Sequence, residues 1–362
     1  MQTISSKIEN KKTILALGAE SAGNFCIFHR NKIYLSESFG DLLENKNFSS
    51  FQKAINTELK KNGIIPNIVL TDLHPDYKTT TLGQRLAKKF KAKHLPIQHH
   101  LAHIFSAVGE NVIFEDKKTP KSIIGIACDG TGYGLDEDIW GGEIFKIDLT
   151  NKKFKRIGHL ENQIMPGGDL AIREPARMLM GILTRFMEKE EVYLKIKKYY
   201  SKRDFEVIYN QINQEFNCQK TSSVGRILDA TSLMLGFCKN ERKSKHGPIY
   251  LLEKNSTQPY HLKPVIKNNI LLTSPLFEYL EKNLKKDRKR LAATAQKYIA
   301  NGLIEIIGKN EPVYFAGGIS NIKIISDQFE KNKFIGNKKI PRGDAGISFG
   351  QISFYLLTNP RN

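Results

Sequence analysis

Two stretches of this chain share one layout, and that repetition constrains the fold more than any other feature. TILALGAESAGNFCIFHRNKIYLSES (13–38) and SIIGIACDGTGYGLDEDIWGGEIFKID (122–148) each run from an apolar strand into a small-residue or Gly-rich turn and return as a second strand. A Gly-rich turn lets backbone amides come close to phosphate oxygens. Two copies starting about 110 residues apart point to a duplicated α/β unit with a nucleotide cleft between the copies. Two unrelated β-hairpins are the alternative reading.

The intervening segments suit an α/β chain. Between the copies, FSSFQKAINTELKKN (48–62) and TTLGQRLAKKF (80–90) have helical apolar spacing and NIVLTDLH (67–74) reads as a strand. KHLPIQ (93–98) reads as a short link into a helix that starts at the histidines. After the second copy comes a helical insert at about 168–240, with PARMLMGILTRFM and VGRILDATSLMLGF at helical spacing. RLAATAQKYIANGLIEIIG (290–308) then feeds a strand VYFAGG (313–318), and GISFGQISFYLL (346–357) closes the chain as a helix. The lobes are placed at 1–118, with 346–362 packing back on it, and 119–345.

Composition excludes several classes. With 362 residues the chain can bury two sizeable cores. No apolar run approaches the roughly 18 residues of a membrane span, and the N-terminus lacks a signal-peptide pattern. No membrane partner and a cytoplasmic location are therefore expected. The four cysteines have no CxxC spacing, which argues against a zinc finger or a disulfide framework. The net charge of +19 could draw nucleic acid, but the lysines are spread over many polar stretches. A lysine-rich solvated surface is the preferred reading, with nucleic acid kept as the alternative. Oligomeric state is not legible.

QHHLAHIFSA (98–107) places His99 and His103 four apart, on one face of a helix. Zinc or iron sites take at least three protein ligands in most enzymes, so a third must come from elsewhere. No Glu lies between these histidines, which disfavours metalloprotease-type hydrolysis. Asp344, in the Gly-rich turn PRGDAGISFG, is the candidate, and a plain helix cap is its alternative. In DGTGYG (129–134), Asp129, Gly130, Thr131 and Gly132 follow a strand directly, as a phosphate loop would or as a tight hairpin turn would. Gly317 and Gly318 sit at a second strand end, where amides could face a nucleotide. Asp229 lies in an apolar helix and needs a partner; a ribose diol would serve, or it is the polar edge of an amphipathic helix.

Together these runs resemble a known family. ALGAE, SESFGDL, DLHPDY, QHHLAHI, DGTGYG with IWGGE, PGGDLAIREPARM, SSVGRILDA and DAGISFGQ, over about residues 14 to 351, resemble the C-terminal, TsaD-like carbamoyl-transfer module of HypF, the hydrogenase-maturation carbamoyltransferase. The resemblance implies duplicated lobes of the actin/Hsp70/sugar-kinase (ribonuclease H-like) fold. It implies one divalent metal, zinc or iron, on His99, His103 and Asp344, facing an adenine nucleotide (carbamoyl-adenylate, ATP or AMP). It puts Asp229 at the ribose and Gly247, Gly317 and Gly318 beside the nucleotide, with Asp129 opening the phosphate loop and standing as a candidate catalytic group.

The implied reaction moves a carbamoyl group from carbamoyl-adenylate to the C-terminal cysteine of a HypE-like partner. The acylphosphatase, zinc-finger and YrdC-type domains of HypF find no match here, so a separate YrdC-type protein is expected to supply the adenylate. The sequence departs from the family at Ala22 and Gly23, at Lys245 and His246, and at Asn321. Those departures keep open a small-molecule hydroxyl or tRNA acceptor, or a non-catalytic nucleotide-binding subunit.

Overall fold

A computed structural model describes residues 1–115, 117–308 and 311–359. The first half forms β1 (Gln2–Ser5), β2 (Ile14–Ala16), β3 (Cys26–His29), β4 (Lys32–Leu35), α1 (Asn45–Lys61), β5 (Ile68–Asp72), α2 (Lys78–Phe90), β6 (Lys93–Ile97) and α3 (His99–Gly109). The second opens with β7 (Ser122–Tyr133), β8 (Ile139–Asp148) and β9 (Lys153–Leu160). Next come β10 (Gln163–Pro166), α4 (Asp169–Arg173), α5 (Pro175–Leu183), α6 (Lys189–Ile196), α7 (Lys202–Asn213), β11 (Cys218–Thr221), α8 (Val224–Met234) and α9 (Gly247–Lys254). It closes with β12 (Ile266–Lys267), β13 (Ile270–Leu271), α10 (Ser274–Lys282), α11 (Arg288–Ile306), β14 (Val313–Ala316), α12 (Lys323–Lys331), β15 (Ile335–Gly336) and α13 (Ile347–Thr358).

The duplication is explicit in the sheets. One runs β1-β4-β3-β2-β5-β6; the other contains β9-β8-β7-β14-β15. In each, three strands pair antiparallel in succession, the first of them pairs parallel with a fourth, and the fourth pairs parallel with a fifth. Helices follow at the same places, so α1, α2 and α3 of the first copy correspond to α11, α12 and α13 of the second. The architecture is α/β, with two lobes of like topology.

Two expectations about local structure are corrected. KHLPIQ is not a link: it supplies β6, which pairs parallel with β5 from Lys93 opposite Ile68 to Ile97 opposite Asp72. Pro96 fits because β6 is an edge strand, where a missing N–H costs no ladder bond on the open side. DGTGYG is not the turn of its hairpin. β7 runs on through Tyr133, and the reversal comes at Gly134–Asp138, where Gly134 N–H donates to Asp138 O. Pairing with β8 jumps from Cys128↔Gly142 to Gly132↔Trp140, so Asp129, Gly130 and Thr131 bulge out of the ladder. The helical insert also contains a strand, β11, paired with β10, and helices continue beyond residue 240 through α9 and α10. Among the described residues, no helix is long and apolar enough to cross a membrane.

The last helix of each copy lies at the centre of the molecule. Every residue of α3 is buried, as is nearly all of α13, so neither helix turns a face to solvent. Leu101, Ile104, Phe105 and Val108 of α3 pack with Ile123, Ala127 and Phe145 of the second sheet. Ile347, Phe349, Ile352 and Leu356 of α13 pack with Ile14, Phe28 and Leu70 of the first. Each helix therefore serves the other copy's sheet, and the two pack against one another with no space between. A Cβ on Gly350 would lie 1.8 Å from the Ala102 carbonyl oxygen, and one on Gly109 would lie 2.0 Å from Ser353 Oγ.

Gly350→Ala is thus expected to cost about 1–3 kcal/mol of stability, read as a lower denaturant midpoint. Gly308→Ala, where an added Cβ meets nothing within 4 Å, should stay within about 0.5 kcal/mol. A Gly350→Ala protein as stable as its parent would contradict this packing.

Candidate functional site

The N-terminal ends of the two central helices converge. Gln98 caps α3 by accepting the Leu101 N–H at 2.9 Å, and one helical face then carries His99 and His103. Asp344 stands in the 3-10 turn Asp344–Gly346 that leads into α13. The β7 bulge brings in Asp129. One donor atom from each of His99, His103, Asp129 and Asp344 lies within 4.8 Å of all the others. His99 Nε2 is 3.4 Å from Asp129 Oδ2 and 3.9 Å from Asp344 Oδ1; His103 Nε2 is 3.5 Å from each of those oxygens.

The atoms that face outward are mostly fixed. His99 Nδ1 is 2.6 Å from Asp72 Oδ2, at the end of β5. Asp129 Oδ1 accepts the Gly318 N–H at 3.0 Å. Asp344 Oδ2 accepts from Ser21 and, at 2.9 Å, from Lys245 Nζ. Glu110, just past α3, accepts the backbone N–H groups of Lys338, Lys339 and Ile340 at 2.7–3.0 Å and so anchors the loop that presents Asp344. Such outer contacts set the tautomer and aim of a ligating side chain.

The cluster asks for positive charge. Burial disfavours imidazolium, yet Asp72 and Asp129 raise the His99 pKa well above the ordinary value, and Asp129 and Asp344 raise that of His103. Burial would likewise raise the two carboxyls, but the facing imidazoles hold Asp129 well below the usual range, and His103 and Lys245 lower Asp344. His99 Nε2 and His103 Nε2 are buried without any hydrogen-bond partner, a costly state for polar atoms. Two imidazoles and two carboxylates fit a divalent ion, and this N/O donor set suits zinc or iron. His100 is turned elsewhere: its Nδ1 is 3.0 Å from Gln98 Nε2, its ring is near Trp140, and burial followed by His99 depresses its pKa strongly.

Asp129 and Asp344 of the cluster line a cleft of about 790 Å³. Gly130, Thr131 and Gly318 lie on its wall. Gly132 does not; it packs on the histidines, where a Cβ would come within 2.6 Å of both His99 and His100. Gly317, at φ +101°, keeps the strand end close to Cys128 and has no room for a side chain. Gly247 starts α9 behind the loop that carries Lys245. Asp229 is also set back from the surface: its Oδ2 is 2.7 Å from Arg226 Nη2 and 3.3 Å from Arg242 Nη1, and those arginines form the wall.

Asp72, Ser21, Arg226 and Arg242 had no role assigned from sequence. A carboxylate ending the apolar strand IVLTD and an arginine three before Asp229 on one helix were available signals; Ser21 and Arg242 sit in loops and left none.

Asp72→Asn is expected to weaken binding of added zinc or iron(II) by about 10- to 100-fold, and His103→Ala to abolish it, in a competitive chelator titration. Wild-type affinity in Asp72→Asn would contradict the role given to Asp72.

Comparison with known proteins agrees in its extent. The family described as "Carbamoyltransferase, Kae1-like Domain, second subdomain" matches residues 125–351, and "HypF Kae1-like domain" matches residues 9–110. The chain is 36% identical to the probable carbamoyltransferase HypF of Methanocaldococcus jannaschii over 99% of its own length and 48% of that protein. To HypF of Synechocystis sp. it is 26% identical, over 97% and 48% of the two chains. The chain thus spans about half the length of these curated relatives. Among solved structures, full-length HypF in a phosphate- and nucleotide-bound form superposes with a TM-score of 0.87 at 27% identity, covering 98% of this chain and 57% of that one. HypF of T. kodakarensis gives 0.86 at 26% identity, over 98% and 48%. The chain belongs to the HypF carbamoyltransferase family, and it matches that family's Kae1-like region.

Proposed function

We propose that this chain carries out the last step of a HypF-type reaction, passing a carbamoyl group from carbamoyl-adenylate to the C-terminal cysteine thiolate of a HypE-like protein, with a YrdC-type module supplying the adenylate. The observation that supports it best is the four-residue cluster, whose two carboxylates line a nucleotide-sized cleft with no thiol among its described residues. Cys26 and Cys128 are fully buried, with thiol pKa values pushed up by burial, and Cys218 and Cys238 do not line the cleft. The nucleophile in this reading therefore comes from outside the chain, as the partner's thiolate.

In this reading the partner's sulfur bonds to the carbamoyl carbon while the bond from that carbon to the phosphate oxygen breaks, and AMP leaves with the electron pair. The anhydride is already activated, so the protein's work is to hold it, balance the phosphate charge and exclude water. The bulge at Gly130 and Thr131, free of strand pairing, receives the phosphate. Lys245, whose ammonium spans from its own loop to Asp344 and Ser21, closes the cleft over it and adds positive charge. A divalent ion on His99, His103, Asp129 and Asp344 would supply Lewis-acid and template chemistry at the phosphate.

The test is intact-mass spectrometry of a HypE-like acceptor incubated with this protein, a YrdC-type protein, carbamoyl phosphate and ATP. A carbamoyl-sized gain on the terminal cysteine, dependent on this chain, is expected. His103→Ala removes a contribution of several kcal/mol and should slow the gain by at least about 100-fold. No gain with metal and adenine nucleotide both bound would contradict the proposed acceptor.

A further inference from the structure

One side of the cleft holds more positive charge than its own partners neutralise. Arg226 lies in the first turn of α8, directly beside the phosphate-side bulge. Ser223, which caps α8, donates to the Gly130 carbonyl, and a Cβ on Gly225 would lie 2.8 Å from Gly130 Cα. Arg226 is only 2% exposed, and its Nε has no hydrogen-bond partner. Arg242 reaches the same place from the loop between α8 and α9. Asp229 Oδ2 is the carboxylate oxygen both share, at 2.7 and 3.3 Å. Among the described residues, Arg242 otherwise bonds only the carbonyls of Ser244 and Lys245.

Two guanidiniums against one carboxylate leave a surplus cation in a largely desolvated wall, which is costly unless an anion completes it. Burial, with Arg226 second, pushes the Arg242 pKa down to about 10, the direction expected of a cation short of counter-charge. The same cleft offers apolar surface from Ile249, Tyr250, Ile319 and Ile322. A ligand that suits both has a flat, weakly polar body and an oxyanion that a planar guanidinium fork can grip.

We infer that Arg226 and Arg242, held together by Asp229, form an oxyanion subsite for a phosphate of the bound nucleotide, distinct from the four-residue cluster. The inference rests on the nucleotide reading of the cleft and adds the residues that recognise the phosphate. Asp229 acts in it by aiming the two arginines.

Calorimetric titration of the full chain with AMP and with adenosine tests it. A charge-assisted pair supports about a 10- to 100-fold preference, so the wild type should bind AMP more tightly than adenosine by that factor. Arg242→Gln should lose most of the preference while binding adenosine as before, which also reports an intact fold. Arg226→Lys, which keeps the charge and loses the fork, should lower AMP affinity alone. Equal wild-type affinity for the two ligands, a preference that survives in Arg242→Gln, or equal losses for both ligands would overturn the subsite and leave the nucleotide reading standing. A wild type that binds neither would overturn that reading, and the subsite with it.

Discussion

The close approach of α3 and α13 is the constraint on which the rest depends. Gly350 lies so near the Ala102 carbonyl that no side chain fits between them. Because each helix is the last element of one copy and packs on the other copy's sheet, the pair locks the two copies together. The N-terminal end of α3 carries the two histidines, and the turn before α13 carries the aspartate. Any shift between the helices would separate His103 Nε2 from Asp344 Oδ1, now 3.5 Å apart. The site is thus a consequence of the packing, and Glu110 reinforces it by tying the end of α3 to the loop that leads to Asp344.

Within that frame, electrostatics divides each side chain into two functions. One oxygen of Asp129 faces the imidazoles and the other takes the Gly318 amide; one oxygen of Asp344 faces them and the other takes Ser21 and Lys245. His99 turns Nε2 inward because Asp72 holds Nδ1. The result is a preorganised group of inward donors with unpaired valence, costly when empty of positive charge and therefore suited to bind it. The strand bulge is as necessary as the helices. A continuous ladder through Cys128–Gly132 would keep Asp129 in register with β8 instead of in the cleft.

Much of this was legible in the sequence because it depends on local pattern. The two strand–turn–strand stretches are periodic and close in sequence, and they form the corresponding antiparallel strands of two like sheets. The four-residue spacing of His99 and His103 needs only one helix turn. What was not legible depends on distance or context. The edge strand β6 was read as a link because Pro96 is a strand breaker everywhere except at an edge. The bulge at Asp129 was read as a turn because Asp and Gly serve both. Asp72 acts on a histidine 27 residues away. Arg242 reaches Asp229 from an irregular loop, where no periodicity marks it.

The proposed function rests on one divalent ion shared by side chains brought together from both copies. X-ray absorption at the metal edge of the zinc- or iron-loaded protein tests it most directly. Two imidazoles with carboxylate oxygens, light scatterers at about 2.0–2.2 Å for zinc, are expected, and no metal should remain bound in His103→Ala. A sulfur shell at about 2.3 Å, or a spectrum unchanged by that substitution, would place the metal elsewhere and contradict it.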